Sequence, residues 1–197
     1  MTSMLRHRRA GIAGFTLIEL MLTITIAAIL LGLAAPSFVT FKRNSELTSA
    51  TNSLVGALSI ARGEALKIGQ NVVVIPASGS DWNSGVTVFV DANSNLALNT
   101  GERIVFQQAA SPSYITVSGA GAGAGGSLPY VMFDPSGYSR TSAATYQSAT
   151  LTLARSDVSS GQQPEQTRVI VIAKTGRVRA CKPASSSDTT CTANSTE

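Results

Sequence analysis

The chain has 197 residues, with 15 Lys and Arg against 11 Asp and Glu, a single histidine and two cysteines, for a formal charge of +4. That length suits one membrane or fibrous element plus one globular domain. The lone histidine is His7, the acids are scattered with no pair placed as general acid and base, and two cysteines ten positions apart lack partner ligands for zinc. The composition therefore argues against an enzyme and against a metal or other cofactor.

Arg6, Arg8 and Arg9 precede the run "GFTLIELMLTITIAAILLGLAAP". From Phe15 to Ala35 its only ionisable side chain is Glu19. At helical rise these residues reach roughly 31 Å, the thickness of a bilayer core. The basic cluster before the run puts the N-terminus in the cytoplasm and everything after Thr40 outside the inner membrane. One reading is a secretory signal peptide cut after the "AAP" at 34–36. Against it, the run is long for such a peptide and amphipathic helix continues past its end.

The other reading is cleavage before the run, between Gly14 and Phe15. "GFTLIEL" resembles the type IV prepilin signature, and Pro36 falls where pilins commonly carry a helix-kinking proline. The resemblance implies cleavage by a prepilin peptidase after Gly14 and methylation of the new terminus at Phe15. It also implies that Glu19 meets the N-terminal ammonium of a neighbouring pilin during assembly. A carboxylate in a membrane helix costs about 2.5–3.5 kcal/mol, which calls for such a reason; a Glu19 snorkelling to the interface without a partner is the alternative. Loss of a leader spanning 1–14 removes three of the 15 cations and leaves 12 against 11 acids, a formal +1. Any nucleic-acid claim then rests on local clustering alone.

After the membrane half (15–35), Leu47, Leu54, Leu58, Ala61, Ala65 and Ile68 form one stripe of an amphipathic helix over 36–69, with Gly69 as its cap. The helix from Phe15 to about Ile68 would be a spine of roughly 80 Å. Short strands follow at 72–75, 86–90, 103–107, 114–117, 130–133, 149–155 and 168–173, punctuated by Gly, Ser, Asn, Asp and Pro. "GAGAGAGG" (119–126) reads as a flexible loop. The fold class is α+β: a long N-terminal helix packed on a β-rich domain (70–183) of two small antiparallel sheets, then a Ser/Thr-rich tail (184–197). "ARGEALK", "DWNSGVTVFVD", "GERIVF" and "FDPSGYSR" resemble internal blocks of the GspH/FimT family of minor pilins and pseudopilins. That family implies a pilin-like fold, an inner-membrane anchor and other pilins or pseudopilins as partners.

Asp91, Asn93, Asn95, Asn99 and Glu102 match a calcium-loop spacing, but position 6 is Leu96 rather than glycine, which favours an Asx-rich hairpin closed by Gly101. Periplasmic placement makes Cys181 and Cys191 a disulfide, worth roughly 2.5–3 kcal/mol for such a loop, with two free thiols as the alternative. Arg168, Lys174, Arg177, Arg179 and Lys182 are five cations without an intervening acid. "KTGR" reads as a turn, after which Arg177, Arg179 and Cys181 share one strand face, roughly 7 Å apart, opposite Val178 and Ala180. "GRVRACK" also resembles the C-terminal motif of DNA-binding FimT-like minor pilins. The match implies DNA contacts from Arg177, Arg179 and Lys182, with Lys174 of the same basic run added to them, hence sequence-independent capture of extracellular DNA in natural transformation. With five phosphate contacts, log K would fall by about 3.5–4.5 units per decade of salt. A charged strand that merely blunts a sheet edge is the plain alternative. At the level of the whole chain, the alternatives are a structural minor pilin that primes or caps a pilus, and a type II secretion pseudopilin.

Overall fold

The computed structural model describes residues 14–185 and 188–192. The leader cations Arg6, Arg8 and Arg9, and the last five residues of the tail, lie outside them. The chain divides after Lys42 into two compact units.

The first unit carries the start of α1 (Leu17–Ile68). Its opening turn is a capping box: the Thr16 amide and hydroxyl donate to Glu19 Oε2 at 3.0 and 2.9 Å, and the Glu19 amide donates back to Thr16 Oγ1 at 3.3 Å. Leu17, Ile18, Leu20, Leu22, Ile24, Leu30 and Phe38 are all exposed. Among the described residues no single helix is long and apolar enough to cross a membrane; Leu17–Leu33 and Ser37–Ile68 meet that test only as a bent pair.

In the second unit, the rest of α1 buries Leu47, Leu54, Leu58, Ala61 and Ala65, the expected stripe, together with Ala57 and Thr51. Ile68 is half-buried against the same core, and the Gly69 amide closes the helix on Ala65 O at 3.0 Å. Nine strands follow: β1 (Val72–Pro76), β2 (Gly85–Val90), β3 (Ile104–Ala109), β4 (Ile115–Ala120), β5 (Val131–Phe133), β6 (Ser139–Arg140), β7 (Ala149–Arg155), β8 (Thr167–Ile172) and β9 (Val178–Cys181). They form two antiparallel sheets, ordered β3-β2-β1-β5-β6 and β4-β7-β8-β9. All seven expected strands are present. The alternation in "ATLTLAR" is real: Leu151 and Leu153 are buried, with Thr150 and Thr152 half-exposed. The main core joins the helix stripe to Val72, Val74, Val88 and Phe133 of the first sheet and Leu151, Leu153, Ile170 and Ile172 of the second.

The glycine-rich segment 119–126 is packed rather than free. Ala124 is buried, and its carbonyl accepts from Trp82 Nε1 at 3.0 Å. A methyl group on Gly119 would sit 2.1 Å from Ala124 O, and one on Gly123 2.7 Å from Tyr130 O. Small residues are there so that backbone can pack on backbone, which composition alone cannot tell from a linker.

Two clusters of directional bonds orient the sheets on the helix. At one end Arg155, 3% exposed, makes paired bonds of 2.9 and 2.7 Å to Asp157 and donates to Asn44 Oδ1 at 2.7 Å. Arg43 adds a second ion pair to Asp157 at 2.5 Å and stacks on Tyr114. At the other end Arg62 donates from Nε to Gly137 O at 3.0 Å and from Nη2 to Thr175 O at 3.1 Å, so one helical side chain holds a turn of each sheet. The Ser139 amide adds a bond to Lys174 O at 3.0 Å. Gly176, at φ +76°, lies so close that a methyl group there would sit 1.8 Å from Gly137 O.

The Arg155 bonds first, with help from Arg43, outweigh the opposing effect of burial and set the Asp157 carboxyl well below the usual carboxylate range. A depressed folded pKa gives stability present above the unfolded value, near 3.9, and lost as pH falls toward the folded value. Asp157→Asn should therefore cost about 2–3 kcal/mol at pH 7, with the deficit in melting temperature closing below about pH 4. Gly176→Ala should destabilise by at least about 2 kcal/mol from a left-handed Cβ and a backbone clash, and Arg62→Met by about 1–3 kcal/mol from two stranded carbonyls. Chemical denaturation of each variant measures both.

Candidate nucleic-acid interface

The basic run folds as the β8–β9 hairpin at the edge of the second sheet. Its turn is closed by the Gly176 amide on Ala173 O and the Ala173 amide on Arg177 O, both 2.9 Å. In β9, Arg179 pairs with Val171 and Cys181 with Val169, while Ala180 pairs with Ile170 and Val178 with Ile172. Since Ile170 and Ile172 belong to the main core, Arg179 and Cys181 face outward, and Arg177 shares that period.

On the outer face Val169, Val171 and Cys191 form a small buried cluster with half-buried Cys181 against it. Cys181 and Cys191 are joined in a disulfide with Cα atoms 5.5 Å apart. The intervening loop is organised by Asp188, whose carboxylate accepts from the Ala184 amide at 2.8 Å and from the Thr190 amide and hydroxyl at 2.8 and 2.7 Å. The Ala184 bond first, then those from Thr190, holds the Asp188 carboxyl below its ordinary value.

The four candidate cations are together on this hairpin, in different states. Arg177 and Lys182 are exposed, with no hydrogen bond or ion pair among the described residues. Arg179 is half-buried, and its Nη2 donates to Thr190 O at 3.2 Å and Thr192 O at 3.4 Å, bracing the disulfide loop. Lys174 is half-buried in the turn and is also engaged. The fifth cation does not join them. Arg168 pairs with Leu153, on the core-facing side of β8, where desolvation lowers its pKa and its Nη1 donates to Glu165 O and Thr167 O at 3.0 and 2.8 Å. Counting charges along the sequence could not see that side of the strand.

Three contributors were missed by the sequence reading. Arg62 positions the hairpin turn from the helix. Tyr138 and Tyr146 lie beside that turn as an exposed ring pair, with centroids 5.3 Å apart at 60°. Asp188 brings a negative charge into the same loop. Proximity in sequence could have pointed only to Asp188.

The other candidates lie elsewhere. Gly14, Phe15 and Glu19 belong to the first unit, and Glu19 serves the helix's own cap. In the β2–β3 loop the Asp91 carboxylate accepts from the amides of Asn95 and Leu96 at 3.1 and 3.0 Å, and Glu102 from those of Ala92 and Asn99 at 3.2 and 2.8 Å. These oxygens tie the hairpin rather than converge on a point. Among the described residues no group of three or more His, Cys, Asp or Glu is placed to hold a metal ion.

Comparison with known proteins accords with this architecture. Residues 9–35 match the prokaryotic N-terminal methylation motif, and residues 50–176 match the family model described as type II transport protein GspH. The chain is similar in fold to the type IV minor pilin FimU of Pseudomonas aeruginosa, at 19% identity and a TM-score of 0.52, over 74% of this chain and 99% of that one. It is also similar to the minor pseudopilin EpsH of the Vibrio cholerae type 2 secretion system, at 16% identity and a TM-score of 0.50, over 71% and 99%. No curated protein matches it. With the family model spanning most of its length behind an N-terminal methylation motif, the chain belongs to the GspH family of pilin-like proteins.

Proposed function

We propose that this chain is a minor type IV pilin that captures extracellular DNA through the β8–β9 hairpin. On this reading a prepilin peptidase cuts after Gly14, Phe15 is methylated, and the N-terminal helix holds the subunit in the inner membrane or among other pilins. Glu19 then exchanges the neutral amide and hydroxyl donors of its intrahelical cap for the ammonium of a neighbour, a charge-assisted partner. The C-terminal domain lies on the periplasmic or extracellular side, where a disulfide persists.

The observation that carries the DNA reading is the pair Arg177 and Lys182, exposed and unpartnered among the described residues at two ends of a strand braced by a disulfide. Among the described residues, neither has a native bond to break on meeting a phosphate. Arg179 does have such bonds, so it acts chiefly as a positioning residue for the loop. With Arg168 out of the set, four contacts at most remain and log K should fall by about 3–3.5 units per decade of salt. In a gel shift with detergent-solubilised chain, Arg177→Gln with Lys182→Gln should weaken binding at least tenfold without lowering the melting temperature. Arg179→Gln should weaken binding and also loosen the fold. A salt-independent affinity, or full binding by the double variant, would remove the reading.

A second reading has its own observation: the matched family model is named for type II transport, and EpsH is a secretion pseudopilin. Deleting the gene separates the two. A transformation defect with normal protein secretion supports the pilin; a secretion defect with normal transformation supports the pseudopilin.

A further inference from the structure

The basic hairpin does not stand alone. Its turn meets the β5–β6 turn on both sides of Tyr138, by close packing of Gly176 on Gly137 and by the bond from the Ser139 amide to Lys174 O. Tyr138 is 40% exposed and Tyr146 52% exposed, and their tilted rings touch. The second ring is held firmly. Arg140 lies over it with its guanidinium carbon 4.3 Å from the centroid, and Nη2 donates to the Tyr146 hydroxyl at 3.0 Å. Arg140 is itself fixed by Asp134 at 2.5 Å and by Ala144 O at 2.9 Å. Two large rings are thus presented to solvent in a pre-set geometry, on a segment whose turn meets the foot of a strand flanked by two cations without partners among the described residues.

We propose that Tyr138 and Tyr146 form a stacking platform for unpaired bases, so that the ligand of this hairpin is single-stranded nucleic acid. The inference rests on the DNA-capture reading and names its substrate class. A duplex offers a protein its phosphates and base edges but keeps its base faces stacked. An exposed ring can therefore be used fully only by a base that is already unstacked, and aromatic platforms beside basic tracks are the usual arrangement for single strands. Arg177, next to the turn, would hold a phosphate while a base lies on Tyr138 or Tyr146, and Lys182, beyond the far end of β9, would meet a phosphate further along the strand. Arg140 contributes by fixing Tyr146, because its own donors are already engaged.

The test uses detergent-solubilised full chain and three labelled probes: an oligothymidine, a strand of equal length with abasic sites, and a duplex of equal length. Wild type should bind oligothymidine about tenfold more tightly than the abasic strand, and more tightly than duplex at matched phosphate. Tyr138→Ala should remove most of that advantage while leaving abasic-strand binding unchanged, and Tyr138→Phe should keep it. Tyr146→Phe should also keep it, which separates loss of the ring from release of Arg140. Equal binding of oligothymidine and abasic strand by wild type, or an undiminished base-dependent advantage in Tyr138→Ala, would overturn the platform. If Arg177→Gln with Lys182→Gln still abolished that base-independent binding, the DNA reading itself would stand. Failure of wild type to bind any probe would end both.

Discussion

Arg62 reaches from the helix to the Gly137 and Thr175 carbonyls, and that bridge sets where the rest of the second unit can be. Among the described residues the two sheets share no ladder, so their mutual placement depends on what each does against the helix and on isolated contacts such as the Ser139 amide on Lys174 O. The buried stripe beside Arg62 is largely alanine at Ala57, Ala61 and Ala65, which lets both sheets come close but gives little shape to grip. Hydrophobic burial is non-directional; a guanidinium fork is not. With the Arg155–Asp157–Asn44 cluster at the other end, one charged side chain with two carbonyls to satisfy favours one particular three-way packing. It also brings the β5–β6 and β8–β9 turns into contact, so that the backbone on either side of Tyr138 meets the turn of the basic hairpin.

The same discrimination between burial and direction sorts the cations of the hairpin. Arg168, on the core-facing side of β8, has surrendered its donors to carbonyls at 3.0 and 2.8 Å, and to recruit it a phosphate would first have to displace those bonds. Arg179 is an intermediate case, because its loop contacts at 3.2 and 3.4 Å are longer and lie at the surface. Arg177 and Lys182 carry no such cost among the described residues. A charge that is already paired contributes little net affinity when it changes partners, whereas a solvated one releases counterions. Charge counts along the sequence treat all five alike, and the structure does not.

Most of the fold was legible because its signals are periodic and local. The stripe from Leu47 to Ile68, the alternation of "ATLTLAR" and the turn in "KTGR" each depend on residues within one element. The two-residue β6 had no such signal, since Ser139 and Arg140 become a strand only by pairing with Phe133 and Met132. "GAGAGAGG" misled for the opposite reason: a packed glycine and a free one look the same until the facing backbone is known. In the candidate site, the outward period of Arg177, Arg179 and Cys181 was readable from the strand itself. The role of Arg62, 113 residues from Thr175, was not, and neither was the juxtaposition of Tyr138 with the hairpin. The Thr16–Glu19 capping box was readable in principle, since Thr-x-x-Glu opens many helices, but a lone acid in an apolar run draws attention to the membrane first.

On the proposed reading, near-neutrality of the processed chain shapes how the hairpin would work. A formal +1 produces no long-range field, and at physiological salt a local excess of cations is felt over only about 8 Å. Asp188, in the disulfide loop, trims that excess further while its bonds keep the loop in shape. Capture would then depend on contact rather than steering, and on interactions that salt does not screen. Cations and rings divide that labour: phosphate contacts weaken with every rise in ionic strength, while stacking on Tyr138 and Tyr146 does not pass through counterions at all. Arg62 holds the turn that carries Tyr138 and the turn that leads into Arg177, which ties those two positions to one another through the fold. An elongated, flexible strand can adapt to such a fixed spacing; a stiff duplex, with its base faces closed, can use only half of it.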